Sequence, residues 1–437
     1  MILVTRRNLN APYRLQFPST RSGRQSKGVN NKKLITLFLI VFIDLLGFGI
    51  ILPLLPFYAE SFGASPTQIG LLVASYAAAQ LVGAPVLGRI SDRVGRKPVL
   101  LISLAGTFIG FLMLGFANSL AMLFASRIID GFTGGNISVA QAYITDITDV
   151  SNRAKGLGML GAAFGLGFII GPALGGTLSV YGFALPAFVA AGLSLVSILG
   201  VMFFLPESLT ADARDALAKR DQPKFSLQNL WRAINRPRVG PILHVRFFYG
   251  LAFATFQTMF PLYAQIRLGL DARSTGYVLA YVGILVVFFQ GFLVGWLAAR
   301  FNEYRLIFLA TIIMTLTLFA WAVAPSTLII LIILAPLAFA AGTLNTLLNS
   351  TLSKAVYPEE VGGTLGISAS LESLTRVISP SAGGFLLGSF GAWAPGLVSG
   401  LIMIWTVGYT WRRLIQNPDP PLPPRRDNEE LGSVAVT

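Results

Sequence analysis

The sequence predicts an all-α integral membrane protein, with twelve transmembrane helices in two parallel, pseudo-symmetric six-helix bundles. Three observations carry this expectation. Of the 437 residues, 54% are hydrophobic and only 12% charged, about half the charge of a soluble domain. Mean hydropathy is +0.69, so lipid must solvate most of the chain. Apolar stretches of about 20 residues recur, each long enough to cross about 30 Å of hydrocarbon as a helix. The loops between them alternate between basic and bare, and the two halves of the chain resemble each other.

Residues 1–33 carry eight Lys/Arg and no acid. They read as a basic cytoplasmic tail, and a targeting segment is the competing reading of the same composition. Spans are expected near 34–59, 69–89, 98–117, 120–146, 155–180 and 183–205, forming a first bundle over 34–205. A linker over 206–239 holds seven Lys/Arg. A second bundle over 240–414 follows, with spans near 240–264, 276–299, 305–323, 327–350, 363–388 and 393–414. The tail 415–437, with Pro418-Asp-Pro-Pro-Leu-Pro-Pro424, reads as extended and disordered.

The loop charges check this count. Arg89, Arg93, Arg96, Lys97, Arg153, Lys155, Arg300, Arg305, Lys354, Arg412 and Arg413 fall on the same side as the linker, and only Arg267 and Arg273 oppose them. Basic loops stay in the cytoplasm, so both termini and the linker are expected there, in a cell inner or plasma membrane. The net charge of +14 is then topogenic, and no nucleic-acid partner is implied.

The halves repeat in parallel. Gly70-Leu-Leu-Val-Ala-Ser-Tyr leads to Gly88-Arg-Ile-Ser-Asp92, and Gly276-Tyr-Val-Leu-Ala-Tyr leads to Gly295-Trp-Leu-Ala-Ala299, about 207 residues later. Ala299 stands where Asp92 does, so the copies are not equivalent in function.

Four motifs stand out. The first span reads Asp44-Leu-Leu-Gly-Phe-Gly-Ile-Ile-Leu-Pro53-Leu-Leu-Pro56, and the second-to-third loop reads Gly88-Arg-Ile-Ser-Asp92-Arg93-Val-Gly95-Arg96-Lys97-Pro98. The fourth span carries Arg127-Ile-Ile-Asp130-Gly131 and Ala142-Tyr-Ile-Thr-Asp146. The fifth reads Gly158-x8-Gly167-x3-Gly171-Pro172-x2-Gly175-Gly176. With these, the sequence resembles the major facilitator superfamily, and within it the twelve-span drug:proton antiporters that include tetracycline efflux proteins. The resemblance implies two bundles around a midplane site, a charged loop that latches the cytoplasmic ends of the halves, and a monomer. It implicates Asp44 and Arg127 in proton coupling, while Asp130 departs from the family's usual amide or small residue.

The residues carry meaning of their own. Asp92 among Arg93, Arg96 and Lys97, bracketed by Gly88 and Gly95, is more than a topogenic loop needs. The glycines of the fifth span serve close helix packing, and with Pro172 they also provide a bendable seam between halves. Gly156-Leu-Gly158-Met-Leu-Gly161 matches a nucleotide-binding pattern but lies inside a membrane span, with no strand before it.

Charges inside spans point most strongly to function, because an ionised group at a helix centre costs about 2.5–3.5 kcal/mol on insertion scales. Asp44, Arg127, Asp130, Glu372 and Arg376 are such residues. Arg127 with Asp130, and Glu372 with Arg376, have the spacing of intrahelical ion pairs. Asp44 has no basic neighbour at helical spacing and is the leading proton carrier, with Glu372 its rival. Polar cavity candidates are Tyr76, Gln80, Asn136, Gln141, Gln257, Gln290, Asn345 and Asn349, each of which could instead form an interhelical hydrogen bond.

These observations imply a secondary transporter: proton-coupled efflux of an amphiphilic, drug-like small molecule by alternating access. The alternative is a symporter or facilitator for a sugar, organic acid or other metabolite. An enzyme is not expected, since the chain has no cysteine, one histidine (His244) and no GxSxG elbow. No metal or cofactor is implied beyond the proton gradient. A transport-dead receptor would be expected to lose its membrane charges, and this chain keeps five.

Overall fold

The computed structural model describes residues 31–218, 227–358 and 360–419. Most of the basic tail expected over 1–33, the middle of the linker and most of the tail expected over 415–437 lie outside the described residues. Among the described residues the secondary structure is helical, without strands.

The helices in order are α1 (Asn31–Ile51), α2 (Leu55–Glu60), α3 (Pro66–Val94), α4 (Arg96–Gly115), α5 (Leu120–Thr133), α6 (Asn136–Ile147), α7 (Val150–Ser179) and α8 (Ala184–Phe204). The linker holds α9 (Ala211–Ala218) and α10 (Leu227–Ile234). The second half holds α11 (Val239–Leu268), α12 (Ala272–Phe288), α13 (Val294–Arg300), α14 (Glu303–Val323), α15 (Thr327–Lys354), α16 (Val361–Phe390) and α17 (Ala394–Thr410). Among the described residues, nine helical spans are long and apolar enough to cross a membrane by length and composition.

Two expected spans are broken, each for a local reason. The first bends at Leu52–Leu54, where Pro53 supplies no N–H for the helical ladder and Pro56 sits in the first turn of α2. The fourth, expected to be continuous over 120–146, is two helices separated by Gly134-Gly135. Ser103 Oγ donates to the Thr133 carbonyl there and accepts from Gly135 N at 3.0 Å. Gln80 Nε2 donates to the Gly134 carbonyl at 3.0 Å. Side chains from α3 and α4 thus satisfy backbone groups that lipid could not. A π-helical turn, Phe289–Leu293, joins α12 to α13, and another, Trp411–Gln416, follows α17.

Within the first half α1 packs on α7 and α8, α4 on α8 and α5, and α3 on α5; within the second, α11 packs on α16 and α17, and α14 on α15 and α17. The halves join along two seams, α3 with α16 and α7 with α12. The seams match. Gly70 of α3 sits on Pro380-x3-Gly384 of α16, where its Cβ would lie 3.1 Å from Gly384 Cα. Gly276 of α12 sits on Pro172-x3-Gly176 of α7, where its Cβ would lie 3.1 Å from Gly176 Cα. The two Pro-x3-Gly steps are 208 residues apart, so the repeat read in sequence recurs as a repeated helix contact.

Both contacts lie at the face opposite the basic loops. Toward the basic face, a Cβ on Gly88 of α3, Gly295 of α13 or Gly366 of α16 would meet nothing within 4 Å. The close glycine contacts between the halves thus lie toward one face, and these glycines nearer the other meet open space.

Candidate functional site

Asp44 lies midway along α1 and is 6% exposed. Asn136, the first residue of α6, donates a short hydrogen bond from Nδ2 to Asp44 Oδ2. The Asn136 Oδ1 accepts from Ile137 N at 2.9 Å, which aims the amide at the carboxylate. Asp44 Oδ1 is buried without a hydrogen-bond partner. A small cavity beside the pair is otherwise apolar, lined by Leu37, Ile40, Val41, Leu100, Leu104 and Ile137. The break before α6 is what lets Asn136 reach α1.

Arg127 and Asp130, both on α5 and both 2% exposed, form the intrahelical pair their spacing predicts, at 3.1 Å. The guanidinium also lies 5.4 Å from the Phe111 ring centroid, within cation–π range. Arg127 is thus engaged by Asp130 and Phe111, and the described polar partner of Asp44 is the neutral Asn136.

The second half gathers a larger network. Glu372 Oε1 accepts from Arg376 Nη2 at 2.7 Å, the intrahelical pair expected on α16. Glu372 Oε2 accepts from Arg246 Nη2 of α11 at 2.6 Å. Arg246 Nη1 donates to Asn345 Oδ1 of α15 at 2.9 Å. One carboxylate is therefore held by two guanidinium groups, and three helices are tied together.

The other polar candidates divide. Gln80 Nε2 donates to Tyr76 OH at 3.2 Å as well as to Gly134, so these residues and Asn345 form structural hydrogen bonds. Gln141, Gln257 and Asn349 are exposed and Gln290 is half-buried, with Gln290 Cγ against Gly342 of α15. His244 stacks on Tyr409 with ring centroids 5.1 Å apart. Among the described residues, no group of three or more His, Cys, Asp or Glu could hold a metal ion.

At the basic face, Gly95 links α3 to α4 with φ +119°, a backbone conformation that favours glycine. A Cβ there would also lie 2.5 Å from Glu207 Oε2. Glu207 caps α4 by accepting from Arg96 N at 2.9 Å and Lys97 N at 3.1 Å, the favourable end of the helix dipole for a carboxylate. Arg96 pairs with Asp92 at 2.6 Å and with Asp146 at 3.0 Å, and Lys97 Nζ donates to the Met202 carbonyl at 2.8 Å. These partners all come from the first half and the start of the linker, whereas the resemblance implies a latch across both halves.

The fifth-span glycines serve two surfaces. Gly167, Gly171 and Gly175 face α1 at Leu45, Gly49 and Ile50, while Gly176 and the Pro172 carbonyl face α12. The first set is helix packing within one bundle, and the second belongs to the seam. Gly158 faces open space. The nucleotide-like pattern at Gly156 lies within the helix α7, as expected.

Sequence reasoning passes over Arg246, Asp146 and Glu207. Arg246 was visible as a charge inside the 240–264 stretch, and Asp146 as the end of the fourth-span motif. Nothing local marks Glu207 as a cap of α4, since its partners there are 110 and 111 residues away.

Comparison with known proteins fits this architecture. The family model "Major Facilitator Superfamily" matches residues 37–380. Tetracycline resistance protein class H of Pasteurella multocida is 34% identical over 386 residues, 86% of this chain and 93% of that protein. Mouse (Mus musculus) solute carrier family 22 member 18 is 32% identical over 371 residues, 82% and 90% of the respective chains. A bacterial homologue of the human lysosomal transporter Spinster, solved inward-facing and occupied, superposes with a TM-score of 0.74 at 15% identity, covering 92% of this chain and 100% of that one. A multi-pass membrane protein of paired seams and buried intramembrane charges, the chain belongs to the Major Facilitator Superfamily and is a transporter, not an enzyme.

Proposed function

We propose that this transporter exports an amphiphilic, drug-like small molecule in exchange for protons, with Asp44 as the proton carrier. The observation that carries the reading is the contrast between its two candidate acids. Asp44 has a neutral amide partner and one free carboxylate oxygen, so it can gain or lose a proton without breaking an ion pair. Glu372 would have to break two. The fifth-span motif and the 34% identity to a tetracycline resistance protein support export.

A gap between the halves would load substrate from the basic face, taken here as the cytoplasmic side of an inner or plasma membrane, with both termini on that side. Rocking about the two Gly/Pro seams would expose the site outward. Protonation of Asp44 from outside would then favour release of substrate, and each charge moved through 100 mV supplies about 2.3 kcal/mol. The Asp92–Arg96–Asp146 cluster would set the balance between the two conformations, and the protein would act as a monomer.

The test is substrate-induced proton release from purified protein in weak buffer. Release should vanish in Asp44→Asn and persist in Glu372→Gln. Normal release from Asp44→Asn, with loss in Glu372→Gln, would move the coupling site to α16. A symporter or facilitator would instead show no uphill substrate uptake into proton-loaded vesicles, where outward proton flow drives an antiporter to accumulate substrate.

A further inference from the structure

Arg376 is the most exposed of the charged residues in the second-half network. Its side chain is 56% exposed, against 8% for Arg246. Arg246 is committed to Asn345 and Glu372, and Glu372 has given one oxygen to each arginine. The described hydrogen bond of Arg376 uses Nη2 alone, leaving the rest of its donor fork available. A guanidinium inside a span, where the sequence places Arg376, faces a cavity or a partner rather than hydrocarbon. Gly70 and Thr67 of α3 meet Pro380 and Gly388 of α16, so the two helices run antiparallel and Arg376 comes near the level of Tyr76, at the junction of the halves. The network of Arg246, Arg376 and Glu372 carries one uncompensated positive charge.

On the first-half side of this junction lies a strip of half-buried rings. The Phe48 ring lies 5.4 Å from Tyr76 and 6.3 Å from Phe168, centroid to centroid. One wall is aromatic and the other presents a guanidinium fork, the group suited to bidentate recognition of a carboxylate or sulfonate.

We infer that the substrate carries an anionic group on an aromatic body, and that Arg376 receives that anion. The inference deepens the export reading, on which it rests only in taking the gap as the substrate path. The anion could belong to a plain organic anion or to a zwitterion, and the test separates the two.

Binding of 1-naphthoate, 1-naphthamide, 1-naphthylmethylamine and 1-naphthylalanine to purified protein in lipid nanodiscs would be measured by calorimetry, with no gradient applied. Naphthoate should bind at least about tenfold more tightly than its amide. Arg376→Gln should abolish that preference, and Arg376→Lys should retain part of it. Glu372→Gln releases the fork and should raise naphthoate affinity, whereas a purely structural ion pair predicts a loss. Naphthylalanine binding more tightly than naphthoate would assign a zwitterionic substrate; weaker binding would assign a plain anion, and both uphold the anionic group. Equal affinity for acid and amide, tighter binding of the amine, no naphthoate binding at millimolar concentration, or an unchanged preference in Arg376→Gln would overturn the proposal. Where Arg376→Gln does not fold, the direction of the Glu372→Gln change decides. Because no proton movement is read, failure here is distinct from failure of Asp44 as the carrier.

Discussion

Asp44 on α1 and Glu372 on α16 are both carboxylates within apolar helices, and they share little else. Asp44 is enclosed, with a neutral amide on one oxygen and nothing on the other. Glu372 is partly open and held by Arg376 from its own helix and Arg246 from α11. The seams that flank them nevertheless match, glycine for glycine and proline for proline. In the proposed mechanism, symmetry is kept where the halves would rock against each other and lost where charge would be handled. A hinge would need the same close approach on both sides, whereas the proposed coupling of a proton to a substrate would call for one titrating group and one fixed charge.

The comparison breaks most readily at Asp44. Asp44→Asn should reduce uphill efflux in energised vesicles to the level of empty vesicles, while costing less than about 1 kcal/mol of stability, because no ion pair is lost. Large destabilisation of this variant would mean that the site is structural.

Arg246→Leu should show the reverse profile. Removing it leaves Asn345 without its donor and Glu372 with one cation. Breaking a buried pair costs about 3–5 kcal/mol, and partial exposure of Glu372 puts the expected loss at or below about 3 kcal/mol. Thermal unfolding in detergent would register it, and an unchanged midpoint would sink the clamp.

The seams sharpen the symmetric side of the comparison. Gly70→Ala and Gly276→Ala should be similarly costly, about 1–3 kcal/mol each, since a Cβ at either collides with backbone. Gly366→Ala should stay within about 0.5 kcal/mol. Unfolding midpoints that differ widely between the two seam variants would show that the hinge is one-sided.

The smallest effect lies where the first half keeps a charged loop and the second does not. Glu207→Ala removes the acceptor for Arg96 N and Lys97 N and should cost about 1 kcal/mol, as loss of a helix cap does. Hydrogen exchange of the first turn of α4 would detect it, and unchanged exchange would argue against the cap.

Composition, periodic apolar stretches and loop charges sufficed for a helical membrane protein, because lipid leaves the backbone few choices. Isolated intramembrane charges were legible for the same reason: hydrocarbon makes each one costly, so Asp44, Arg127, Asp130, Glu372 and Arg376 stand out by position alone. The intrahelical pairs Arg127–Asp130 and Glu372–Arg376 also followed from spacing, since a helix fixes which neighbours can meet. Only the tertiary structure decided which acid remained free of a cation. Arg246 lies 126 residues from Glu372, and Asn136 lies 92 from Asp44. The break at Gly134-Gly135 likewise became tolerable only because Ser103 and Gln80 arrive from other helices. Sequence spacing governs contacts within a helix; between helices, contact depends on how packed surfaces bring distant residues together.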